Sequence, residues 1–261
     1  MSANALEARI REELRTRSFA RALEVHDELS STNDRARAWL VGNGPSGLAV
    51  IARAQSKGRG RLGRTWSSAP DAGLYVSFGV RVKAGRAPDL PLLAGLASAR
   101  AIERSSGAIV WLKWPNDLMS KERKKVGGVL IEASAKGEEL EAVVGIGINL
   151  HSRGRPEALS SIATSLEELS TRGGADLVAL FVALAEELEG GLDALELPVG
   201  RQRLHAAWTA RAIGIGERVS VGEAEGVIIG LAEDGALVLE TKDGRRKVYA
   251  GDLLLGGSNE A

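Results

Sequence analysis

Residues 58–66, which read GRGRLGRTW, carry the clearest chemical signal in the sequence. Their arginines offer paired donors that suit phosphate and carboxylate groups. Their glycines let backbone N–H groups converge on an anion, and Trp66 adds a flat apolar face for a base. The segment therefore predicts a loop, over residues 58–68, that binds an anionic ligand or a nucleotide. A solvated basic loop is the alternative on these residues alone.

The glycines of this loop also match the dinucleotide-binding pattern G-x-G-x-x-G, at Gly58, Gly60 and Gly63. That fold needs a helix directly after the glycines and an acidic residue about 20 positions further on. Here WSSAP follows at residues 66–70, and residues 81–83 are basic in character. A Rossmann site is therefore disfavoured. The sequence contains no G-x-x-x-x-G-K-[ST] loop, which excludes the P-loop class.

A second segment, KWPNDL at residues 113–118, follows a predicted strand. Pro115 restricts the preceding residue to extended geometry. Lys113 could meet a phosphate, and Asn116 or Asp117 could hold Mg²⁺ or a ribose hydroxyl. The alternative is a turn that the side chains of Asn116 and Asp117 stabilise.

Two further segments combine glycine with a β-type pattern. KKVGGVLIE at residues 124–132 places a lysine before two glycines, so a ligand could lie against bare backbone. GIGINL at residues 145–150 leaves one strand face without side chains. The alternatives are a lysine-rich hairpin turn for the first and a close helix-on-sheet contact for the second.

Hydrophobic periodicity predicts the elements that must position these segments. We predict helices at residues 4–29, 34–41, 91–105, 159–169, 175–195 and 200–210, with a C-cap at Gly107 after the third. We predict strands at residues 48–54, 74–82, 108–113, 126–133 and 140–148. From residue 213 onward, short β-type runs at 218–221, 226–231, 237–240 and 246–249 are typical of a small barrel. The chain is therefore predicted to be α+β, with one domain over residues 1–210 and a second over 211–261.

Composition limits the classes of partner. The sequence has 34 Lys and Arg against 34 Asp and Glu, so no net charge attracts nucleic acid or an anionic membrane. It has no cysteine, and its three histidines, His26, His151 and His205, lack the spacing of metal ligands. The N-terminal residues are too polar for a signal peptide, and no run of about 18 apolar residues occurs. We expect a cytoplasmic protein without a membrane span.

The order and spacing of these segments resemble bacterial biotin protein ligases over residues 28–255. The blocks that carry the resemblance are Ser31-Thr32-Asn33, Gln55, GRGRLGRTW, KWPNDL, KKVGGVLIE, GIGINL and the ATSL of residues 163–166. The resemblance implies an α+β fold: a mixed β-sheet catalytic domain with helices, like that of class II aminoacyl-tRNA synthetases, and a C-terminal SH3-like β-barrel. It implies the monofunctional type, because the 30 residues before Ser31 are too few for a DNA-binding domain.

The resemblance also implies a role for each site residue. Ser31, Thr32, Asn33 and Gln55 would contact biotin. Arg59 and Arg61 would meet its carboxylate and the phosphate, and Trp66 would lie on the adenine side. Lys125, rather than Lys124, would meet the carboxylate and the α-phosphate. The remaining predicted binding residues are Gly58, Gly60, Arg64, Lys113, Asn116, Gly128, Gly145, Gly147 and Asn149. Lys125, Arg61 and Asp117 are the predicted catalytic residues, and no metal ligand is assigned.

The implied substrates are biotin and ATP with Mg²⁺, and the implied acceptor is a lysine of a biotin carboxyl carrier protein. We expect no specific DNA binding and no membrane partner, and a homodimer is compatible with the sequence. Two alternatives are a lipoate–protein ligase, which shares the two-step logic, and a non-enzymatic RNA-binding module that uses the Arg/Gly loop and Trp66.

Overall fold

A mixed β-sheet lies at the centre of the larger part of the chain. The computed structural model describes residues 1–170 and 173–255, and within them seven strands form this sheet in the order β1-β2-β3-β7-β6-β5-β4. The strands are β1 (Leu23–His26), β2 (Leu48–Ala52), β3 (Gly73–Lys83), β4 (Trp111–Lys113), β5 (Asp117–Met119), β6 (Lys125–Lys136) and β7 (Glu139–Asn149). Strands β1 and β2 are parallel, and the other neighbouring pairs are antiparallel.

Helices cover both faces of this sheet. The helices of the described residues are α1 (Ala3–Glu13), α2 (Thr32–Val41), α3 (Asp89–Ser106), α4 (Leu166–Leu169), α5 (Leu177–Leu195) and α6 (Gly200–Ala210). One face packs on α3 and α5, where Phe78 of β3 stacks against Phe19 and Phe181 with ring centroids 5.1 and 6.1 Å away. The other face packs on α2, whose Leu40 is buried with Val50 of β2.

The strand register decides which residues face α2. Ser77 of β3 pairs with Gly145 of β7, and Tyr75 pairs with Gly147. Because side chains alternate along a strand, these four residues lie on the face opposite to Ile146, which belongs to the main core. The glycines predicted to leave a bare face therefore lie on the same side of the sheet as α2.

A second, smaller sheet follows α6. Its strands are β8 (Arg218–Val221), β9 (Ala224–Leu231), β10 (Leu237–Thr241), β11 (Gly244–Val248) and β12 (Leu253–Leu255). They are antiparallel in the order β11-β10-β9-β8-β12. It is tied to the larger sheet, since the N–H of Ile213 donates to the carbonyl of Leu112 at 2.9 Å and Arg123 pairs with Glu217 at 2.7 Å. The end of the predicted second domain, residues 256–261, lies outside the described residues.

Several predicted elements are confirmed with small shifts of their ends. Helix α3 stops at Gly107, whose φ of 73° is the left-handed conformation of a C-cap. Helix α5 begins after Asp176, whose carboxylate accepts from the N–H groups of Val178 and Ala179. None of the helices in the described ranges combines the length and hydropathy needed to cross a bilayer.

The prediction of one helix over residues 4–29 is wrong. Helix α1 ends at Glu13, and residues 23–26 form β1 beside β2. Leu23 and Val25 alternate with less buried neighbours, which is the period of a strand. Ala20, with a φ of 58°, breaks any continuation of the helix.

The prediction of a helix over residues 159–169 is also wrong. This stretch holds the end of a 3₁₀ turn at Glu157–Leu159 and the single turn of α4. Between them residues 160–162 form a turn, and Ala163 then forms a parallel bridge with Lys125. The N–H of Lys125 donates to the carbonyl of Ile162 at 2.8 Å, and the N–H of Thr164 donates to the carbonyl of Lys125 at 2.9 Å. These pairings use backbone groups that a helix would need.

Candidate functional site

A cavity of about 470 Å³ opens on the α2 face of the larger sheet. Its lining comes mainly from α2, the loop of residues 58–68, strands β3 to β7 and the segment of residues 151–163. Asp252, directly before β12 of the smaller sheet, also borders it. The structure brings almost every predicted site residue to this one cavity: Ser31, Thr32, Asn33, Gln55, Arg59, Gly60, Arg61, Arg64, Trp66, Lys113, Asn116, Asp117, Lys125, Gly128, Gly145, Gly147 and Asn149.

Gly58 is the predicted site residue that does not line the cavity. It lies at the base of the loop, where an added Cβ would come 2.4 Å from the carbonyl oxygen of Trp66 and 2.7 Å from Ser68 Oγ. The N–H of Trp66 donates to the carbonyl of Gly58 at 3.0 Å, so the two limbs of the loop meet there. Glycine at this position therefore allows the two limbs of the loop to come close together.

The glycines on β7 keep the cavity floor bare. A Cβ on Gly145 would lie 2.3 Å from Asn33 Oδ1, and one on Gly147 would lie 2.6 Å from the indole of Trp66. Neither distance is compatible with a side chain unless the neighbour moves. On Gly128 of β6 the nearest atom would be Lys125 Cε at 3.3 Å, so this position is less restricted.

A buried polar network forms one end of the cavity. Gln55 Oε1 accepts from the N–H of Thr32 at 2.9 Å and from its hydroxyl at 3.1 Å. Ser77 Oγ lies 2.7 Å from Thr32 Oγ1 and 2.6 Å from Asn33 Oδ1. Ser31 is buried beside them. This end can recognise an uncharged polar group that donates and accepts hydrogen bonds.

Cations gather at the other end. Lys125 Nζ lies 2.7 Å from Asp117 Oδ1 and 5.5 Å from the centre of the Trp66 ring, an ion pair combined with a cation–π contact. Burial lowers the pKa of Lys113, and the nearby charge of Lys125 acts in the same direction. Arg61 Nη1 donates to Asn116 Oδ1 at 3.1 Å. The arrangement suits a ligand with more than one negative charge.

Other polar side chains of the predicted site hold the backbone around these cations. Asn116 Nδ2 donates to the carbonyl of Val129 at 2.7 Å, and Asn149 Nδ2 donates to the carbonyl of Thr164 at 3.0 Å. Arg64 forms a close ion pair with Asp252, which directly precedes β12 of the smaller sheet. Both sheets therefore contribute to the rim of the cavity.

Arg59 differs from the other cations because two carboxylates surround it. Its guanidinium donates to both oxygens of Asp34, at 2.8 and 2.7 Å, and lies 3.5 Å from Glu132. The hydrogen bond from Arg59 lowers the pKa of Asp34. The charge of Arg59 is thus already balanced within the protein.

Sequence reasoning missed the segment of residues 151–163 as part of the site. It lines the cavity through Arg153, Arg155, Pro156, Leu159 and Ile162, among others. Arg155 pairs with both oxygens of Glu168 at 2.7 and 2.9 Å, and this contact holds the pKa of Glu168 at about 2. The signal was present, because the Arg-Gly-Arg-Pro run of residues 153–156 repeats the composition of the Arg/Gly loop.

The cavity offers little to a tightly held metal ion. The described residues contain no group of three His, Asp or Glu side chains arranged for metal binding. Asp117 and Asp252 both line the cavity, and each pairs with a cation. These donors fit an Mg²⁺ ion that keeps most of its water and is carried mainly by substrate phosphates.

Comparisons with known proteins agree with this geometry. Residues 25–149 match the biotin/lipoate A/B protein ligase family, and residues 214–256 match the biotin protein ligase C-terminal domain. The biotin–[acetyl-CoA-carboxylase] ligase of Paracoccus denitrificans is 33% identical over 87% of this chain and 98% of its own. The bifunctional ligase/repressor BirA of Bacillus subtilis is 32% identical over 96% of this chain and 79% of its own.

Solved structures give the same result. The Aquifex aeolicus biotin protein ligase, in complex with biotin and ATP, superposes with a TM-score of 0.76 and 31% identity, covering 91% of this chain and 100% of that one. Together with the two domain matches, this confirms the predicted fold class, with its C-terminal SH3-like unit. The chain belongs to the biotin protein ligase family.

Proposed function

We propose that this enzyme activates biotin with ATP to form biotinyl-5′-AMP and pyrophosphate, then transfers the biotinyl group to a lysine of a biotin carboxyl carrier protein. One observation carries the proposal: a single cavity joins a buried, uncharged polar end to a cationic end across a floor of glycines. Biotin has the matching polarity, with a ureido ring at one end and a carboxylate at the other.

In the first step the biotin carboxylate attacks the α-phosphorus of ATP, and the bond from that phosphorus to the pyrophosphate oxygen breaks. Two anions must approach each other, so preorganised cations lower the barrier. Lys125 and Arg61 fit this role, with Lys113 toward a phosphate. Mg²⁺ would neutralise part of the charge of the triphosphate.

In the second step the acceptor amine attacks the acyl carbon, and the bond from that carbon to the AMP oxygen breaks. The acceptor lysine must first lose a proton, and Asp117 is the carboxylate nearest to Lys125 in the cationic end. We assign Asp117 to assist this proton transfer. Closure of the Arg/Gly loop over the adenylate would exclude water, which otherwise hydrolyses the mixed anhydride.

The binding roles follow the polarity of the cavity. The polar network of Ser31, Thr32, Asn33 and Gln55 would recognise the ureido ring, and Gly128, Gly145 and Gly147 would leave room for the rest of biotin. Gly60, Arg61, Arg64, Trp66, Asn116 and Asn149 would surround the adenylate. The balanced charge of the sequence provides no general attraction for DNA, so we expect no specific DNA binding, which a footprinting assay at physiological salt can test.

The decisive experiment measures pyrophosphate release by the purified protein with ATP and either biotin or lipoate, and detects the adenylate by mass. Biotin-dependent release and biotinyl-AMP are expected, followed by labelling of a purified carrier domain. Release with lipoate alone would favour a lipoate ligase. Absence of release with both acids, together with binding of single-stranded RNA, would favour the RNA-binding alternative.

A further inference from the structure

The Arg/Gly loop of residues 58–68 is held at its first limb, residues 58–60, by an ion-pair cluster. This cluster lies outside the cationic end of the cavity. Arg59 forms a two-point contact with Asp34 of α2 and reaches Glu132 of β6 at 3.5 Å. Glu132 also accepts from Asn33 Nδ2 at 2.6 Å and pairs with Arg37 at 2.7 Å. Two elements of the larger sheet region thus hold one guanidinium of the loop.

The same cluster is connected to the far end of the loop. From Asn33 the contacts run through Ser77 at 2.6 Å, Thr32 at 2.7 Å and Gln55 at 3.1 Å. Gln55 Nε2 then donates to Ser68 Oγ at 3.0 Å, which is the last residue of the loop. Both ends of the loop are therefore joined through the polar network beneath the cavity.

Between these ends the loop behaves as a narrow hairpin. The N–H of Gly60 donates to the carbonyl of Arg64 at 2.7 Å, and Arg59 pairs with Thr65 across the two limbs. Arg61 and the exposed Leu62 form the tip, where Leu62 has a φ of 54°. These cross-limb contacts start at Arg59 and lead toward the tip, so holding Arg59 restricts the positions open to Arg61.

Arg59 and Arg61 accordingly differ in the charge that they can offer. Two carboxylates face Arg59, whereas the neutral amide oxygen of Asn116 faces Arg61. A cation already balanced by a two-point carboxylate contact gains less from a further anion.

We propose that Asp34 and Glu132 are positioning residues that hold Arg59, and with it the first limb of the loop, so that Arg61 and the loop backbone face the anionic part of the adenylate. Arg59 then acts through the loop instead of on the ligand. The inference rests on the proposed function for its ligand, and it replaces the direct phosphate or carboxylate contact predicted for Arg59.

The test uses the carboxylate substitutions, whose expected signs are opposite in the two accounts. If Arg59 works as an anchor, Asp34→Asn, Glu132→Gln and Arg59→Ala each speed the loss of preformed biotinyl-AMP by about tenfold. The double variant Asp34→Asn/Arg59→Ala then loses the adenylate no faster than Arg59→Ala. If Arg59 instead contacts the ligand, Asp34→Asn frees its charge, and the adenylate is retained as long as in the wild type or longer; this result overturns the proposal.

A control at another ion pair of α2 separates anchoring from general loosening. Glu24→Gln removes a two-point ion pair with Arg35 of α2, with contacts of 2.7 and 2.6 Å, that does not touch the loop. Its adenylate loss should match the wild type, and thermal unfolding should show all variants folded. Equal acceleration by Glu24→Gln would refute a specific role of Asp34.

Amide exchange keeps the inference testable apart from the proposed function. In the ligand-free protein, Asp34→Asn should speed exchange over residues 58–66, whereas Glu24→Gln should not. Missing pyrophosphate release in the wild type would defeat the proposed function and leave this comparison intact. Unchanged exchange in Asp34→Asn would defeat the anchoring itself.

Discussion

The indole of Trp66 lies where a side chain at position 147 would have to be, since a Cβ on Gly147 would come within 2.6 Å of indole Nε1. Lys125 Nζ lies 5.5 Å from the ring centre of the same indole. Because position 147 of β7 has no side chain, Trp66 of the loop can contact Lys125 of β6 above the cavity floor. A side chain at position 147 would displace Trp66 and so disturb this contact.

Gly147→Ala should impair the use of biotin. The added methyl group displaces Trp66, and with it the wall around Lys125, so we expect the KM for biotin to rise by about tenfold or more. Steady-state pyrophosphate release over a range of biotin concentrations measures this. The matched control is Gly190→Ala on α5, where an added Cβ meets nothing within 4 Å. If Gly147→Ala had the same KM for biotin as the control, displacement of the Trp66 indole would have no effect on biotin binding.

Lys125→Ala should reduce adenylate formation far more than Lys124→Ala. Lys125 points into the cavity toward Asp117, whereas Lys124 Nζ lies at the exposed edge, 3.4 Å from the carbonyl of Ser160. Loss of one preorganised cation at a reacting anion typically costs about 100-fold in rate, and loss of a solvated surface lysine costs little. Single-turnover formation of biotinyl-AMP compares the two variants. If both variants lost adenylate formation to the same extent, Lys125 would contribute only positive charge to the region and not a specific contact with the reacting groups.

The spacing of glycine predicted the cavity floor because strand geometry is local. Alternating Gly145 and Gly147 must share a face in any β-strand, and the structure places both on that floor. The same local reasoning failed at residues 14–29, where Leu23 was read as continuing the helical spacing, although Leu23 and Val25 alternate with a period of two. Their partners on β2 lie 26 positions away (Leu23 with Ala49, Val25 with Ile51), and a short window cannot contain them.

The electrostatics of the site could not be read from the sequence for a similar reason. Arg59 and Arg61 look equivalent in GRGRLGRTW, yet Asp34 and Glu132 pair with the first. Asp34 is 25 positions from Arg59, and only the packing of α2 beside the loop brings them together. The Arg-Gly-Arg-Pro run hinted at a role for residues 151–163, but only the tertiary pairing of this segment with Lys125 places it at the cavity.

Glu189→Gln should destabilise the protein at neutral pH and much less in acid. Glu189 of α5 accepts from the N–H groups of Arg17, Ser18 and Phe19 at 2.9 to 3.1 Å. Burial raises its pKa, but these backbone hydrogen bonds and the charge of Arg17 outweigh burial and hold the pKa of Glu189 at about 2. A lowered carboxyl pKa gives stability that is present above the unfolded value of about 4.3 and is lost as pH falls toward about 2.

Urea unfolding at pH 7 and pH 3 measures this difference. At pH 7 the variant should lose about 2 kcal/mol of unfolding free energy, and at pH 3 the gap to the wild type should be clearly smaller. Glu187→Gln is the control on the same helix, since Glu187 makes a looser pair with Arg100 at 3.5 Å; its cost should stay below about 1 kcal/mol at both pH values. If the difference in unfolding free energy between Glu189→Gln and the wild type were the same at both pH values, the charge of Glu189 would not be the source of the stability.

Arg61→Gly should release biotinyl-AMP faster while leaving the fold intact. The tip of the loop is held by few contacts, and Leu62 there is 73% exposed. Arg61 meets only the neutral amide oxygen of Asn116 at 3.1 Å, so an anion would give it a stronger, charged partner. We expect amide exchange of residues 60–65 to slow when biotinyl-AMP is bound, and the adenylate off-rate of Arg61→Gly to rise by about tenfold or more. Adenylate that escapes would then label nearby lysines without selectivity.

Lys57→Gly is the matched control, because it also exchanges a cation for glycine beside the loop but lies outside the cavity lining. Exchange that is equally slow with and without ligand, combined with an unchanged off-rate, would contradict an ordering of the loop by the adenylate.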